Sequence, residues 1–300
     1  MGACNPTRKA ADFSETDYLG PHMTNYAAPS VPRTPHPNEW STDVRDAWDE
    51  PGVLADSAAS IIMKVMYGAR MARFDLLRAV QGLARFMTKW TRRQDQELWK
   101  LMCYIQATKH WRLVGWVGDP LQNITPTVFS DADFAGCIET RRCTSGGFCC
   151  LRGPNTSFPI SAVSKRQGSM SNSTTEAELS AAQTAIGRMG IPLLVLWSHI
   201  SEQCGADPLG LAVLLDNTAM LEIIRTGRNL TVRHIGKTHG VAVSWLHELY
   251  KKKDVVMKYI TTTMMAADLY TKAFTEPSKW AHMCVQNNLF PSVPSKGEWP

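Results

Sequence analysis

The order of secondary-structure patterns between residues 115 and 290 restricts the fold more than any other feature of this sequence. Three extended runs come first, at about 122–130, 144–151 and 158–164, and Arg-Gly-Pro-Asn at 152–155 predicts a turn between the last two. The elements that follow are helices at about 174–189, 218–226, 239–251 and 265–287 and strands at about 209–215 and 255–260. This order predicts an α/β fold with helices flanking a mixed sheet.

The chain before this region has a different pattern. Residues 1–55 hold seven of the 17 prolines and little periodicity, which predicts a disordered leader. Residues 56–114 predict three short helices, the first capped by Asp56 and Ser57, the second capped by Asp75 and the third at about 94–109. We therefore expect four parts: a leader at 1–55, a helical segment at 56–114, an α/β domain at 115–290 and a tail at 291–300.

Two interpretations of the helical segment stay open. Residues 64–114 hold eleven basic and three acidic residues, whereas residues 1–60 hold four basic and nine acidic ones. The segment is either a packing module or a clamp on nucleic acid, with Trp90, Trp99 and Trp111 stacking on bases or filling the core. The net charge of +5 and the pI near 8.8 permit a polyanionic partner but do not require one.

The cysteines and the apolar runs indicate where the protein works. The eight cysteines form no CxxC pair and no metal-ligand spacing with histidine, so we interpret them as reduced thiols of an intracellular protein. The first 20 residues carry five charged residues and lack the apolar core of a secretory signal. No uninterrupted apolar run approaches the roughly 18 residues of a membrane span, so we expect no membrane partner.

Four acidic motifs fall at the edges of predicted strands or within predicted helices. Asp131 ends the first strand, Asp216 ends the fourth, and Asp268 lies near the start of the last helix. Glu178 shares a helix face with alanines and should point to the packed side, whereas Glu176 should face solvent. If the first and fourth strands are parallel neighbours, their carboxylates emerge at one edge. Converging carboxylates form the hard oxygen site that Mg²⁺ prefers, although each acid alone could be a simple helix or turn cap.

These residues belong to a series of blocks that resembles a known family. The blocks are Ser-Asp-Ala-Asp-Phe-Ala-Gly at 130–136, Thr-Arg-Arg-Cys-Thr-Ser-Gly-Gly at 140–147, Ser-Lys-Arg-Gln at 164–167, Ser-Thr-Thr-Glu-Ala-Glu-Leu at 173–179, Asp-Asn-Thr-Ala at 216–219, Arg-His-Ile at 233–235 and Ala-Asp-Leu-Tyr-Thr-Lys at 267–272. In order and approximate spacing they resemble the ribonuclease H domain of copia-type retrotransposon polyproteins. The helical segment resembles the region between polymerase and ribonuclease H in the same polyproteins.

The resemblance implies a ribonuclease H-like fold, with a five-stranded mixed sheet and helices on both faces. It implies endonucleolytic cleavage of the RNA strand of an RNA–DNA hybrid by two Mg²⁺ ions, with Mn²⁺ as a substitute. Asp131, Glu178, Asp216 and Asp268 would be the catalytic and metal-binding carboxylates. The polymerase part of the same polyprotein would be a second partner, and the protein would work in cytoplasmic virus-like particles or in the nucleus.

Polar and basic residues beside the carboxylates are the candidates for contacting the hybrid. They are Thr174 and Thr175 on the helix, Thr218 after Asp216, and Lys165 and Arg166, which would meet phosphate. For the two basic residues an exposed strand end is an equally good interpretation.

The sequence departs from the family in ways that keep other functions open. Lys258 stands where cellular and retroviral relatives carry a mobile histidine, and His234 and His239 are the candidate substitutes. There is no Tyr-x-Asp-Asp polymerase motif, so we expect no DNA synthesis. An inactive nucleic-acid-binding module, a decayed mobile-element fragment and, less well matched in acid spacing, an integrase-like nuclease are the alternatives.

Overall fold

The computed structural model describes residues 49–134, 142–207, 209–227, 237–252 and 254–291. For residues 237–241 it describes the backbone alone. Several expectations therefore lie outside the described residues. They concern most of the leader, nearly all of the tail, the side chain of His239, the whole block at 233–235 with His234, and parts of the blocks at 130–136 and 140–147.

The core of the fold is a five-stranded mixed sheet. Its strands, in chain order, are β2 (Thr125–Asp133), β3 (Thr144–Gly153), β4 (Thr156–Arg166), β5 (Leu211–Leu215) and β6 (Val255–Tyr259). The spatial order is β4-β3-β2-β5-β6; β2, β3 and β4 pair antiparallel, and β5 is parallel to β2 and β6. Two-residue strands β1 (Arg112–Leu113) and β7 (Leu289–Phe290) form a separate antiparallel pair. The predicted five-stranded mixed sheet flanked by helices is confirmed.

The helices of the described residues cover both faces of this sheet. Their bounds are α1 (Ala55–Met71), α2 (Leu77–Ala84), α3 (Arg92–Ala107), α4 (Thr174–Ala185), α5 (Ile191–Gln203), α6 (Thr218–Thr226), α7 (Lys237–Lys251) and α8 (Pro277–Gln286). A π-helical turn, Ile186–Gly190, joins α4 to α5 without a break. The sequence predicted an end near Met189, but the π turn carries the helix past Gly190 and Pro192.

One face of the sheet is buried under α4 to α7. Val128, Cys149 and Val213 point to this side and contact alanines of α4 and apolar residues of α6 and α7. Neighbouring strand residues such as Phe129, Phe148 and Cys150 point to the other side, as the two-residue period of a strand requires. The sheet is therefore buried on both faces over its central strands.

The helical segment packs on this second face. Residues of α1, α2 and α3 share one apolar cluster with Phe148, Tyr270 and α8. Trp90 and Trp111 are buried in it, whereas Trp99 is 69% exposed. Two of the three tryptophans thus fill the core, which agrees with the packing interpretation and leaves Trp99 as the one that remains accessible. The predicted boundary near residue 114 stays a prediction.

A polar bridge ties the helical segment to the last helix. Asp75 was expected to cap a helix, but it is buried and accepts hydrogen bonds from Arg73 (2.7 and 3.0 Å) and from the Tyr104 hydroxyl (2.8 Å). Trp280 of α8 donates to the same hydroxyl at 3.3 Å. The prediction for Asp75 is wrong. Charge-assisted hydrogen bonds from a guanidinium to a carboxylate are stronger than the hydrogen bond that an exposed helix cap accepts.

Other helix ends also differ from expectation. Asp56 does not cap α1, which begins after Leu54 without a side-chain cap; Asp56 lies in the first turn, where the helix dipole favours an acid. Helix α3 begins two residues before Gln94, at a capping box formed by Thr91 and Gln94. Residues 265–287 are only partly α-helical: a 3₁₀ helix, Ala266–Tyr270, comes first, and α8 begins at Pro277.

The joined helix Thr174–Gln203 meets the length and composition of a membrane span, contrary to the expectation from single apolar runs. Within its most apolar window, 44% of the residues are buried in the molecule. A core helix passes the same test, so this feature carries no assignment to a membrane.

Candidate metal centre

Three carboxylates from three different elements meet at one edge of the sheet. Asp131 lies near the end of β2, Asp216 follows the end of β5, and Glu178 lies one turn into α4. One ligand oxygen from each lies within 4.8 Å of the other two. Because β2 and β5 are parallel neighbours, their C-terminal ends project the two aspartates to the same edge, as the sequence predicted.

Helix α4 presents Glu178 to this edge through its buried face. Ala181, Ala182 and Ala185 are fully buried beside it, and small side chains let the helix lie close to β2 and β3. The backbone N–H of Ala132 donates to the Glu178 carboxyl. The predicted orientation of Glu178 toward the packed side agrees with this arrangement.

The position of Glu176 differs from the prediction. It was expected to face solvent, yet it is fully buried. Its carboxylate accepts from the backbone N–H of Asn172 at 2.8 Å, and its own N–H donates to the Ser173 hydroxyl at 3.2 Å. Glu176 folds back over the helix N-terminus as the third residue of a capping motif, which satisfies N–H groups that would otherwise be unpaired.

Asp268, the fourth predicted carboxylate, lies beside the other three and not among them. It belongs to the 3₁₀ helix Ala266–Tyr270 and is buried, and its nearest charged partner is Lys272, whose ammonium lies 2.7 Å from Asp268 Oδ2. The same ammonium is 3.8 Å from Asp131 Oδ1. The other oxygen of Asp268, Oδ1, is buried without a hydrogen-bond partner. Such an orphaned acceptor is a polar atom that water or a cation would satisfy.

Residues 270–272 hold the site together, and the sequence reasoning missed them. The Thr271 hydroxyl donates to the Asp131 carboxylate, and Arg78 of α2 donates to the Thr271 carbonyl at 2.8 Å. Ser164 of β4 donates to the Tyr270 carbonyl at 2.7 Å. The spacing of Asp268 and Lys272, four residues apart, was the available signal in the sequence.

Burial and mutual repulsion raise the pKa values of the carboxyls. Burial, followed by the charges of Asp131 and Asp216, raises the pKa of Glu178 to about 9. Burial and the Asp131 charge raise the pKa of Asp268 to about 7, although Lys272 opposes the change. Burial also raises the pKa of Asp131, against the opposing effects of Lys272 and Thr271. The cluster is thus costly to ionise without a compensating cation.

The donor set fits a divalent cation. Asp131, Glu178 and Asp216 offer only carboxylate oxygens, and Asp216 stays half-buried at the open side, where Thr262 donates to it at 3.1 Å. Hard oxygen ligands of this kind suit Mg²⁺ and Mn²⁺ better than the softer transition metals. These three residues could therefore hold the metal that the sequence predicted.

The predicted nucleic-acid contacts lie around this edge. Asp131 pairs with Gly146 of β3, and Gly146 pairs with Ser164 of β4; Lys165 lies in the next row, opposite Ser145 and Ala132. At two strand spacings the row spans roughly 10 Å. Lys165 is exposed and Arg166 half-buried; Thr174 and Thr218 are exposed at helix starts, and Thr175 is half-buried.

Lys258 lies away from the carboxylates. It is exposed within β6, where it pairs with Leu214, and it lines a groove of about 440 Å³ on the face occupied by Phe129. It is therefore part of a strand and not of a loop beside the carboxylates.

Substitution of Gly146 tests how closely the loop that carries Asp268 packs against β3. A Cβ at Gly146 would lie 2.5 Å from the Thr271 methyl group and 2.9 Å from the Ala267 carbonyl. We expect Gly146→Ala to push this loop off β3 and to destabilise the protein by about 1–3 kcal/mol. Denaturant unfolding measures the effect, and Gly168→Ala, with nothing within 4 Å of the added carbon, is the control. Equal stability of the two variants would contradict the described packing.

Comparisons with known proteins found distant structural similarities to three nucleases. The chain matches no protein-family model and no curated protein. It is similar to a ribonuclease H1 isolated from compost by a metagenomic approach, at 14% identity over 49% of this chain and 92% of that one, with a TM-score of 0.30. An N-terminal ribonuclease H domain from Mycobacterium tuberculosis gives 15% identity, 49% and 91% coverage, and a TM-score of 0.30. The NurA nuclease of Sulfolobus solfataricus is 8% identical over 64% of this chain and 51% of that one, with a TM-score of 0.20.

The order and pairing of the five strands define the fold of this domain.

Proposed function

We propose that this protein is a metal-dependent endonuclease that hydrolyses the RNA strand of RNA–DNA hybrids. The observation that carries the proposal is the meeting of Asp131, Glu178 and Asp216 within 4.8 Å at one sheet edge. The sequence blocks that resemble copia-type ribonuclease H supply the substrate class. Mg²⁺ is the proposed ion, with Mn²⁺ as a substitute.

The carboxylates would hold the cation and align the scissile phosphate with it. A divalent ion at such a site supplies Lewis-acid polarisation of the phosphate and a water of lowered pKa. Asp131 is fixed by the Thr271 hydroxyl and Glu178 by the backbone of Ala132, so both would keep their orientation when substrate arrives. The buried floor of the site excludes bulk water and strengthens these electrostatic contacts.

Lys165, Arg166, Thr174, Thr175 and Thr218 are the proposed hybrid contacts. The two basic residues lie two strands from Asp131, where a duplex centred on the carboxylates would pass its phosphates. The threonine hydroxyls lie at the starts of α4 and α6, beside Glu178 and Asp216. Hydroxyls at this place suit the 2′-hydroxyls of a minor groove, which distinguish RNA from DNA.

The retrotransposon context is part of the proposal. We propose that the chain is the ribonuclease H portion of a copia-type polyprotein, which works inside the cell with the polymerase portion as its partner. A binding module without cleavage is the second candidate. The raised pKa values of Glu178 and Asp268 favour the enzyme, because a module that only binds hybrid gains nothing from costly buried acids.

The direct test is cleavage of a hybrid labelled separately on its RNA and DNA strands. We expect loss of the RNA strand with Mg²⁺ or Mn²⁺ and no loss in EDTA or in Asp216→Asn. The same sequence as duplex DNA should stay intact. A folded protein that cuts neither strand in Mn²⁺ would rule out the enzyme, and retained affinity for the hybrid would then favour the binding module.

A further inference from the structure

Lys272 lies in the metal centre and not at its margin. Its ammonium contacts Asp268 at 2.7 Å and Asp131 at 3.8 Å. Its side chain is 38% exposed, so more than half of it is withdrawn from water. The ammonium therefore lies between two carboxylates of the site.

The backbone that carries Lys272 is fixed from several directions. Arg78 binds the Thr271 carbonyl, Ser164 binds the Tyr270 carbonyl, and the Lys272 N–H donates to the Asp268 carbonyl at 2.9 Å. Gly146 of β3 packs directly against this stretch, so the stretch cannot move closer to the sheet. With its backbone held at these points, Lys272 differs from a long surface lysine that finds an acid by chance.

The carboxylates divide into two sets around this lysine. Asp131, Glu178 and Asp216 lie within mutual reach of one ion, and Asp268 lies outside that set. Asp268 instead shares Lys272 with Asp131. The place between Asp131 and Asp268, where a second ion would be held, is the place that the ammonium occupies.

We propose that Lys272 supplies the second positive charge of this site, so that the protein holds one divalent ion tightly, at Asp131, Glu178 and Asp216. The inference deepens the proposed function and rests on it, because it takes the carboxylates as a metal centre. Lysine is a point charge with three donors, so it can neutralise two carboxylates without taking up their remaining oxygens. Its presence also repels a second divalent ion at a distance of a few ångströms.

Counting bound Mn²⁺ in the absence of nucleic acid tests the proposal. The signal of free Mn²⁺ in electron paramagnetic resonance gives stoichiometry and affinity at fixed pH and ionic strength. We expect one tightly bound ion in the wild-type protein and in Lys272→Arg. Lys272→Met should bind a second ion, at least about tenfold more tightly than the wild type does, because the repelling charge is gone. Lys272→Gln is a second variant that retains a polar group.

The matched control is Lys279→Met, which removes an exposed lysine paired with Glu276 on the neighbouring helix. This variant should bind Mn²⁺ with the same stoichiometry and affinity as the wild type. Superimposable titrations of Lys272→Met, Lys272→Gln and the wild type would overturn the proposal, as would two ions of equal affinity in the wild type. Circular dichroism melts check that each variant is folded.

The same titration separates this inference from the proposed function. A protein that binds one ion, gains a second in Lys272→Met and yet leaves hybrids uncut would support the role of the lysine and refute the nuclease. Absence of Mn²⁺ binding in every variant would overturn the metal centre and both proposals together.

Discussion

Glu178→Gln is expected to abolish hybrid cleavage and, in the absence of metal, to make the protein more stable. The amide cannot neutralise a cation, so we expect a loss of at least about 10³-fold in kcat, in the range measured when a principal electrostatic group is removed from an active site. The buried amide still accepts the N–H of Ala132, so the fold loses no contact at this position.

The stability gain follows from the pKa of Glu178. In the folded protein this carboxyl titrates at about 9, and in the unfolded chain it titrates near its ordinary value of 4.5. The folded state therefore binds more protons than the unfolded state between these values, and wild-type stability falls as pH rises through that window. Glutamine does not titrate, so at pH 8 the variant should exceed the wild type by about 2 kcal/mol or more.

Urea unfolding at pH 5 and pH 8 with EDTA measures this difference. Glu202→Gln is the matched control, because it removes an exposed glutamate from the same joined helix. It should be fully active and should show the wild-type pH dependence. A Glu178→Gln protein that is less stable than the wild type at pH 8 would show that the buried carboxyl is held charged by other contacts.

Metal binding is expected to reverse the loss of stability at high pH. Below pH 5 both Glu178 and Asp268 are protonated in the folded state; Asp268 loses its proton around pH 7 and Glu178 around pH 9. Without metal, the free energy of unfolding falls by about 1.4 kcal/mol per pH unit for each proton that the folded state binds and the unfolded state does not. A divalent ion binds the ionised carboxyls, so it must displace these protons.

Two measurements follow from this linkage. The metal-free protein should lose several kcal/mol of stability between pH 6 and pH 9, and saturating Mg²⁺ or Mn²⁺ should remove most of that slope. Calorimetric titration at pH 7 in buffers of different ionisation enthalpy should count about one proton released for each ion bound, chiefly from Glu178. A slope that is the same with and without metal would mean that the raised pKa values do not belong to the metal ligands.

The placement of the main carboxylates shows how far local pattern reasoning reaches. Asp131 and Asp216 were identified as the ends of two strands, and the alanine-rich face of α4 identified Glu178. Strand ends, helix faces and turn residues depend on neighbours in sequence, so they can be predicted without knowing the fold. The error for Glu176 has a local cause too, because a glutamate at the third helical position turns back to cap the helix.

Contacts between distant segments were beyond that reasoning. The amphipathic helices before residue 114 were predictable, but nothing in their periodicity indicates that they pack on the sheet beside Phe148. Arg78 reaches the Thr271 carbonyl across 193 positions in the chain, and Thr271 reaches Asp131 across 140. Such pairs form only when whole elements pack, because the contacts that bring them together are made by many other residues.

The sequence by itself determined the order of the five sheet strands and the kind of chemistry that the carboxylates offer, since both depend on residue type and local spacing; it did not indicate that the helix after β4 continues to Gln203. The tertiary structure alone decided that three carboxylates share one place while Asp268 pairs with Lys272. The reason is geometric: a 3₁₀ helix held against β3 by Gly146 sets the direction of Asp268, and that direction comes from close packing and not from any pattern along the chain.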